Sequence, residues 1–222
     1  MRFAHIADTH IKNLKYHYEY KEVFKQLYET LRQEEIDCII HCGDIAHTKT
    51  QISPEFVELC SDFFRNLASI APTYIILGNH DGNLKNSSRQ DAITPIVDAL
   101  GLNNIYLLKN AGEHKISDDF CLNVLSVFDR DNWQNPSNKN TINIALYHGA
   151  IQGCQVGSGF RLDHGEDDLH SRLIYKVEKQ PDIWIQITIP NEFQRVGKFN
   201  KKVTASWIVA PLLDLKEYKS IP

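Results

Sequence analysis

Apolar residues in the first hundred positions form two kinds of pattern that alternate along the chain. The short continuous runs RFAHIAD, DCIIHCGD and TYIILGNHD are typical of buried strands. Between these runs, apolar residues recur at helical spacing, first at Phe24, Leu27 and Leu31 and then at Phe56, Cys60, Phe63 and Leu67. The pattern predicts a β-α-β-α-β order, and hence a parallel sheet covered by helices.

The boundaries of the second helix and the second half of the chain add detail to this prediction. Ser53 is a suitable N-cap and Pro54 suits the first helical position, so the second predicted helix begins there. A weaker helical pattern spans Asp91 to Leu100. The later runs IYLLK, CLNVLSVF and INIALYHG predict further strands, which are consistent with a second sheet.

Composition limits the classes of protein to consider. With 222 residues and 42% apolar content, the chain can form one domain, or one domain with a small appendage. No apolar run reaches the roughly 20 residues that cross a bilayer, and the start MRFAHIADTH does not resemble a signal peptide, so we expect a cytoplasmic protein. Five scattered cysteines favour reduced, structural thiols over a disulfide framework.

The net charge of -4 argues against a broad cationic face of the kind that dominates non-specific DNA binding. Any contact with nucleic acid is therefore expected to be local.

Polar side chains follow each of the long strand patterns at the point where the strand ends. The first strand is followed by Asp8 and His10, the second by Asp44, the third by Asn79, His80 and Asp81, and the run INIALY by His148. In open α/β sheets, ligands bind beyond the carboxyl ends of the strands. These side chains are therefore expected to converge on one site.

The residue types at these strand ends suit a pair of metal ions. Asp8 and His10 are two residues apart, so an extended backbone would point both to one side and let them share an ion. Asp44 follows Gly43, which allows close approach, and one carboxylate can bridge two cations about 3.5–4 Å apart. Asn79 and His148 would bind the second ion. Oxygen and nitrogen donors without thiolate favour manganese, with iron or zinc as alternatives.

His80 and Asp81 have different expected roles, because two ions would already activate water and neutralise a phosphate. We interpret His80 as the general acid that protonates or stabilises the leaving oxygen. Asp81 is interpreted as the carboxylate that orients the His80 imidazole.

Four motifs together resemble the calcineurin-like metallophosphoesterases, namely ADTH, HCGDIAH, LGNHDG and YHG in this order and spacing. Within that superfamily, HIADTHI and GDIAHTKTQISPEFVELCSDFF resemble the SbcD-type exonucleases, the nuclease subunits of double-strand-break repair complexes. The resemblance covers about residues 1 to 170. It implies an α/β metallophosphoesterase fold of the four-layer type, in which two β-sheets are flanked by helices.

The resemblance also implies which residues bind each metal ion and which residue is catalytic. Asp8, His10 and Asp44 would hold one manganese ion, Asp44, Asn79 and His148 the other, and His80 would be the catalytic histidine. The implied partners are DNA, an SbcC-type SMC-like ATPase subunit and a second copy of the chain.

The chain departs from this family after about residue 170. Members usually close the site with a later Gly-x-His motif, but DIWIQITIP, about where that motif should lie, has neither histidine nor glycine. Residues 171–222 are therefore interpreted as a divergent or truncated tail that completes or flanks the second sheet. His164 and His170 could replace the missing ligands, although an acidic, solvated loop is the more ordinary interpretation of RLDHGEDDLH. His47 either lines the site or belongs to a surface loop.

Three functional hypotheses follow from the sequence. The leading one is a manganese-dependent DNA exo- or endonuclease that acts with an ATPase in double-strand-break repair or recombination. The second is a phosphatase or phosphodiesterase for small substrates, favoured by the acidic balance and small size. The third is a catalytically impaired remnant or accessory subunit, favoured by the missing histidines.

Overall fold

The computed structural model describes residues 1–149 except residues 87 and 139, and the backbone of two later strands. It contains three α-helices and nine strands among these residues, with one short 3-10 turn at Arg130–Asn132. The helices are α1 (His17–Gln33), α2 (Pro54–Ile70) and α3 (Thr94–Leu100). The strands are β1 (Phe3–Ile6), β2 (Cys38–Cys42), β3 (Thr73–Ile76), β4 (Ile105–Leu107), β5 (Gly112–Lys115), β6 (Phe120–Val124), β7 (Ile142–His148), β8 (Trp184–Gln186) and β9 (Ser206–Val209).

The first sheet is parallel throughout, in the strand order β4-β3-β2-β1-β8. The predicted β-α-β-α-β order is confirmed, since α1 connects β1 to β2 and α2 connects β2 to β3. Because these strands run in one direction, the segments that follow β1, β2 and β3 all leave the sheet at the same edge.

The second sheet has the order β5-β6-β7-β9, in which β6 and β7 are parallel and the outer pairs are antiparallel. Its inner face packs on the first sheet, where Phe3 meets Phe120 edge-on with ring centroids 5.2 Å apart. On the other face of the first sheet, α1 and α2 close a second apolar layer in which Phe24 and Phe63 are 4.4 Å apart. The predicted α/β fold of two sheets flanked by helices is confirmed.

The predicted tail, residues 171–222, contributes one described strand to each sheet. The strand β8 pairs with β1 in the first sheet, and β9 pairs with β7 in the second. The sequence predicted that this segment completes or flanks the second sheet alone. The domain boundary near residue 170 stays a prediction.

Two expectations from composition concern membranes and thiols. None of the helices in the described part of the chain is long and apolar enough to span a membrane. Cys38, Cys42, Cys60 and Cys121 are buried free thiols, whereas Cys154 lies outside the described residues.

The start of α2 follows the predicted capping pattern. The Ser53 hydroxyl accepts a hydrogen bond of 3.1 Å from the backbone N–H of Phe56, and it donates one of 2.6 Å to the carbonyl of Asn13. Pro54 occupies the first helical position. Ser53 therefore caps α2 and also ties it to the segment that follows β1.

We expect Ser53→Ala to lower the free energy of unfolding by about 1 kcal/mol or slightly more, because it removes an N-cap and a second hydrogen bond. Chemical denaturation measures the change. Ser69→Ala is a matched control, since the exposed Ser69 hydroxyl only donates to the carbonyl of Asn66 in the same helix. Equal effects of the two variants would contradict this account of the cap.

Candidate metal centre

Three of the predicted ligands surround the Asp44 carboxylate at the edge where β1, β2 and β3 end. The Nε2 atom of His10 lies 3.5 Å from Asp44 Oδ2 and 3.7 Å from Asp8 Oδ1. From the second sheet, β7 brings His148 to the same point, with Nε2 3.2 Å from Asp44 Oδ2. Segments that are distant in sequence thus converge on one buried carboxylate.

Two groups of donor atoms have the spacing of a metal site. In each group the donor atoms lie within 4.8 Å of one another, and Asp44 belongs to both. One group contains His10 and His80 with Asp44, and the other contains Asp8 and His148 with Asp44. A carboxylate shared by two donor groups is the arrangement that a bridging ligand requires.

The contact between His148 and Asp44 shows that this donor set fits a cation. The Nδ1 atom of His148 lies 2.7 Å from the carbonyl oxygen of Cys42, which can only accept, so Nδ1 carries a proton. In the neutral ring, the lone pair of Nε2 then faces the lone pairs of the Asp44 carboxylate at 3.2 Å. Only a positive charge between the two atoms, a proton or a metal ion, makes this contact favourable.

The protonation states of His10 and Asp44 at neutral pH also suit metal binding. Burial lowers the pKa of His10 to about 4, with the Asp44 charge opposing the shift, so the imidazole is neutral and free to coordinate. Burial disfavours the charged Asp44 carboxylate, but its contacts with His148 and His10 outweigh that cost and lower its pKa. A neutral imidazole and an ionised carboxylate are the forms that ligate metals.

The backbone at this edge differs from the extended geometry that the sequence suggested. The strand β1 ends at Ile6, and Asp8 and His10 have φ of 55° and 44° in the left-handed region, as does Asp44 at 55°. The expectation that an extended backbone aligns Asp8 and His10 is therefore wrong. Left-handed backbone at non-glycine residues costs of order 1–3 kcal/mol each and persists where surrounding contacts hold it.

Hydrogen bonds to neighbouring segments hold this left-handed backbone in place. The N–H of Asp8 donates to the carbonyl of Gly43 at 3.1 Å, and the N–H of His10 donates to the carbonyl of Asp44 at 2.9 Å. The hydroxyl of Tyr20, on α1, donates to the His10 carbonyl at 2.6 Å. The segments after β1 and β2 are thus locked to each other.

Two glycines make room for the Asp44 carboxylate. A Cβ atom on Gly43, where φ is 89°, would lie 2.6 Å from the backbone nitrogen of Gly78. A Cβ atom on Gly78 would lie 2.2 Å from Asp44 Oδ1. Gly43 was anticipated from the sequence, whereas Gly78 was not, although its position directly after the apolar run of β3 is a signal for close backbone approach.

His80 is oriented by a backbone carbonyl and not by its neighbour Asp81. Its Nδ1 donates to the carbonyl of His47 at 2.8 Å, and its backbone N–H donates to Asp44 Oδ1 at 2.8 Å. The Asp81 side chain is fully buried, and its two oxygens accept the N–H groups of Ala46 and Gly78 at 2.8 and 2.9 Å. The prediction that Asp81 orients the imidazole is wrong, because its carboxylate instead ties the segments after β2 and β3 together.

Asn79 and His47 lie beside this cluster. The carbonyl of Asn79 accepts a hydrogen bond of 3.0 Å from the ammonium group of Lys49, a residue that the sequence did not single out. The His47 ring centroid is 5.8 Å from that of His10 and 6.1 Å from that of His80. The structure therefore places His47 against the candidate centre, and the ligand role of Asn79 stays a prediction.

The two remaining candidates, His164 and His170, lie outside the described residues. The described strand β8 is parallel to β1, so its carboxyl end points toward the sheet edge where the candidate metal centre lies. In the sequence it is followed by Ile187, Thr188, Ile189 and Pro190, which offer no imidazole, carboxylate or thiolate.

Comparison with known proteins assigns the chain to a family. The sequence pattern of the family described as calcineurin-like phosphoesterase matches residues 1–187. Uncharacterized protein R555 of Acanthamoeba polyphaga mimivirus is 36% identical over 174 residues, which are 72% of this chain and 13% of that protein. DNA double-strand break repair protein Mre11 of Methanosarcina acetivorans is 29% identical over 86 residues, 36% of this chain and 14% of that protein.

Two further proteins are more distant. Putative phosphoesterase 244L of Invertebrate iridescent virus 6 is 24% identical over 158 residues, 64% of this chain and 54% of that protein. The crystal structure of the Pseudomonas putida nuclease MPE superposes with a TM-score of 0.38 at 18% sequence identity. The superposition covers 71% of this chain and 66% of that chain. The matches thus span between 13% and 54% of the lengths of the three relatives. Since the family pattern covers most of the chain and every strand end of the candidate metal centre, the chain belongs to the calcineurin-like phosphoesterase family.

Proposed function

We propose that this chain is a metal-dependent phosphodiesterase that cleaves DNA, as an exo- or endonuclease in double-strand-break repair or recombination. Family membership supports the hydrolytic chemistry. The Mre11 relative is named a DNA double-strand break repair protein, and this name supports the choice of DNA and of repair.

The observation that carries this choice is the charge of the loops around the candidate metal centre. These catalytic-edge loops, residues 7–16, 43–53 and 77–93, follow β1, β2 and β3 and contain five basic residues. Their carboxylates are the candidate ligands Asp8 and Asp44 and the buried Asp81 and Asp91. In a chain of net charge -4, positive charge is therefore concentrated where the substrate would bind. The five basic residues are Lys12, Lys15, Lys49, Lys85 and Arg89.

Exposed apolar side chains lie on the same loops. Leu14 is 72% exposed, Leu84 49% and Ile52 41%. Lysines contact phosphates, and apolar side chains pack against bases, so this mixture suits a nucleic acid with partly unpaired bases better than a small phosphoester.

In this function the ligands would be Asp8, His10, Asp44, Asn79 and His148. Bound divalent cations, manganese by preference and iron or zinc as alternatives, would activate water and neutralise phosphate oxygens. We assign the role of general acid to His80. The His47 carbonyl accepts the proton on Nδ1, so Nε2 is the ring nitrogen that would transfer a proton to the leaving oxygen.

Two alternatives have specific support. A phosphatase or phosphodiesterase for small substrates is favoured by the overall charge of -4. Outside the catalytic-edge loops, this negative charge repels a polyanion such as DNA. A catalytically impaired remnant is favoured by the absence of ligating side chains at residues 187–190, directly after β8. The SMC-like ATPase partner and the homodimer stay predictions from the resemblance.

Hydrolysis of bis-p-nitrophenyl phosphate and of linear duplex DNA, each with added manganese, tests the proposal. We expect activity on both, and we expect His80→Ala to lower it by about 10²–10⁴-fold, the usual contribution of a general acid. Metal binding by His80→Ala, measured by calorimetry, should be unchanged, whereas Asp44→Ala should lose both binding and hydrolysis.

Each departure from this result selects another interpretation. Full activity of His80→Ala would show that another group protonates the leaving oxygen. Loss of one bound ion in His80→Ala would make His80 a ligand, as its place in a donor group with His10 and Asp44 allows. A wild-type chain that is inactive on both substrates would be the impaired remnant.

Removal of positive charge from the catalytic edge should weaken DNA binding without affecting a small diester. We make this test with the double variant Lys15→Gln and Lys85→Gln. The slope of log DNA affinity against log salt concentration should become shallower by about 0.9 for each phosphate that is no longer neutralised. Hydrolysis of bis-p-nitrophenyl phosphate should be unchanged. Lys25→Gln, in α1, is the control for charge outside these loops. Unchanged DNA affinity in the double variant would favour the small-substrate function.

Metal affinity should rise with pH because His148 must lose a proton to coordinate. Burial disfavours its charged form, but the Asp44 carboxylate outweighs burial and raises its pKa above the usual value. Without metal His148 therefore carries a proton below this raised pKa, and metal affinity should increase with pH until the raised pKa is passed. Calorimetry in buffers of different ionisation enthalpy should detect release of about one proton. His148→Gln should abolish that release, and a wild-type chain that releases none would contradict the assignment.

A further inference from the structure

A cavity of about 430 Å³ lies between α2 and α3, outside the candidate metal centre. Its volume falls within the range of about 300–1,000 Å³ that is usual for sites of small ligands. Apolar side chains form most of its wall, namely Ile52, Val57, Pro95, Ile96, Ala99 and Leu100.

The cavity shares a wall with the loop that carries His80. Lys49 lines the cavity, and its ammonium group donates to the carbonyl of Asn79 at 3.0 Å. Ala92 also lines it, and its N–H donates to the carbonyl of Asp81 at 2.8 Å. A ligand in this cavity would therefore lie directly behind the Asn79–Asp81 loop.

The charges around the cavity favour an anion. The ammonium group of Lys49 bonds to a neutral carbonyl. Arg65, which also lines the cavity, pairs with Asp62 at 3.0 Å, but both side chains are more than half exposed, so the pair is weak. The Asp91 carboxylate already binds Lys109 at 2.8 Å. The remaining charge of the lining is positive.

The lining also offers one hydroxyl in an apolar surface. Ser61 is 8% exposed, and its hydroxyl makes no hydrogen bond with the described residues. An aromatic base has two apolar faces and polar edges, so it can pack against the apolar walls and bond to such a hydroxyl.

We propose that this cavity binds the base of a nucleotide whose phosphate lies at Lys49. The shared chemistry is that of a nucleotide, whether a free mononucleotide or one nucleotide of a strand. This cavity would add a base-binding subsite to the proposed nuclease. Only a strand as the source of the nucleotide rests on the proposed function.

Calorimetric titration of the manganese-loaded His80→Ala chain, which limits turnover, tests the inference. The ligands are dAMP, deoxyribose 5-phosphate and inorganic phosphate, which share the phosphate and differ in the base and the sugar. Because stacking of the base adds to the binding of dAMP, dAMP should bind about fivefold or more tightly than deoxyribose 5-phosphate.

Two variants locate this preference in the cavity. Ala99→Phe, at an exposed position of α3, should fill the cavity and remove the advantage of dAMP, whereas the matched control Ala99→Ser should keep it. Lys49→Gln should weaken the binding of dAMP more than Lys85→Gln does, since Lys85 does not line the cavity.

Equal binding of dAMP and deoxyribose 5-phosphate, or an advantage that survives Ala99→Phe, would overturn the inference. Base-dependent binding in a wild-type chain that hydrolyses neither DNA nor bis-p-nitrophenyl phosphate would retain the cavity site and overturn the proposed function alone. Competition between dAMP and a 5′-phosphorylated oligonucleotide would identify the strand as the source, and its absence would identify the free nucleotide.

Discussion

The buried carboxylate of Asp44 is the group on which the rest of the site depends. One oxygen accepts the backbone N–H of His80, and the other meets the imidazoles of His10 and His148. This concentration of contacts exists only because Gly78 lies against the carboxylate without a side chain. The loops after β2 and β3 are thus held at a distance that an alanine would not allow, and the remaining candidate ligands are placed relative to that contact.

The order of elements and most of the clustered residues could be predicted from the sequence, for a simple physical reason. Parallel strands end at one edge, so polar residues such as Asp8, Asp44 and His80 that follow apolar runs must meet there. The local geometry could not be predicted. Left-handed backbone at Asp8 and His10, and the use of Asp81 as a clamp between two loops, depend on contacts with segments more than thirty residues away. Spacing along the chain contains no information about such contacts.

The distribution of charge separates what the fold requires from what a substrate requires. Asp81 and Asp91 are buried and satisfied by hydrogen bonds, so they stabilise the loops and add no exposed negative charge. On the same loops, the five basic residues are offset by no exposed carboxylate outside the candidate ligands. A chain with an acidic total can therefore carry a local group of exposed basic residues around its candidate metal centre.

All the candidate ligands in the described part of the chain except His148 belong to the first 81 residues, the unit formed by β1, α1, β2, α2 and β3. Protein chains leave the ribosome N-terminus first, and their early segments can fold before synthesis ends. This unit has its own apolar layer between helices and sheet, so it can arrange Asp8, His10 and Asp44 while β7 is still being made. His148 then arrives on a strand of the second sheet, and metal capture during biosynthesis would wait for that docking step.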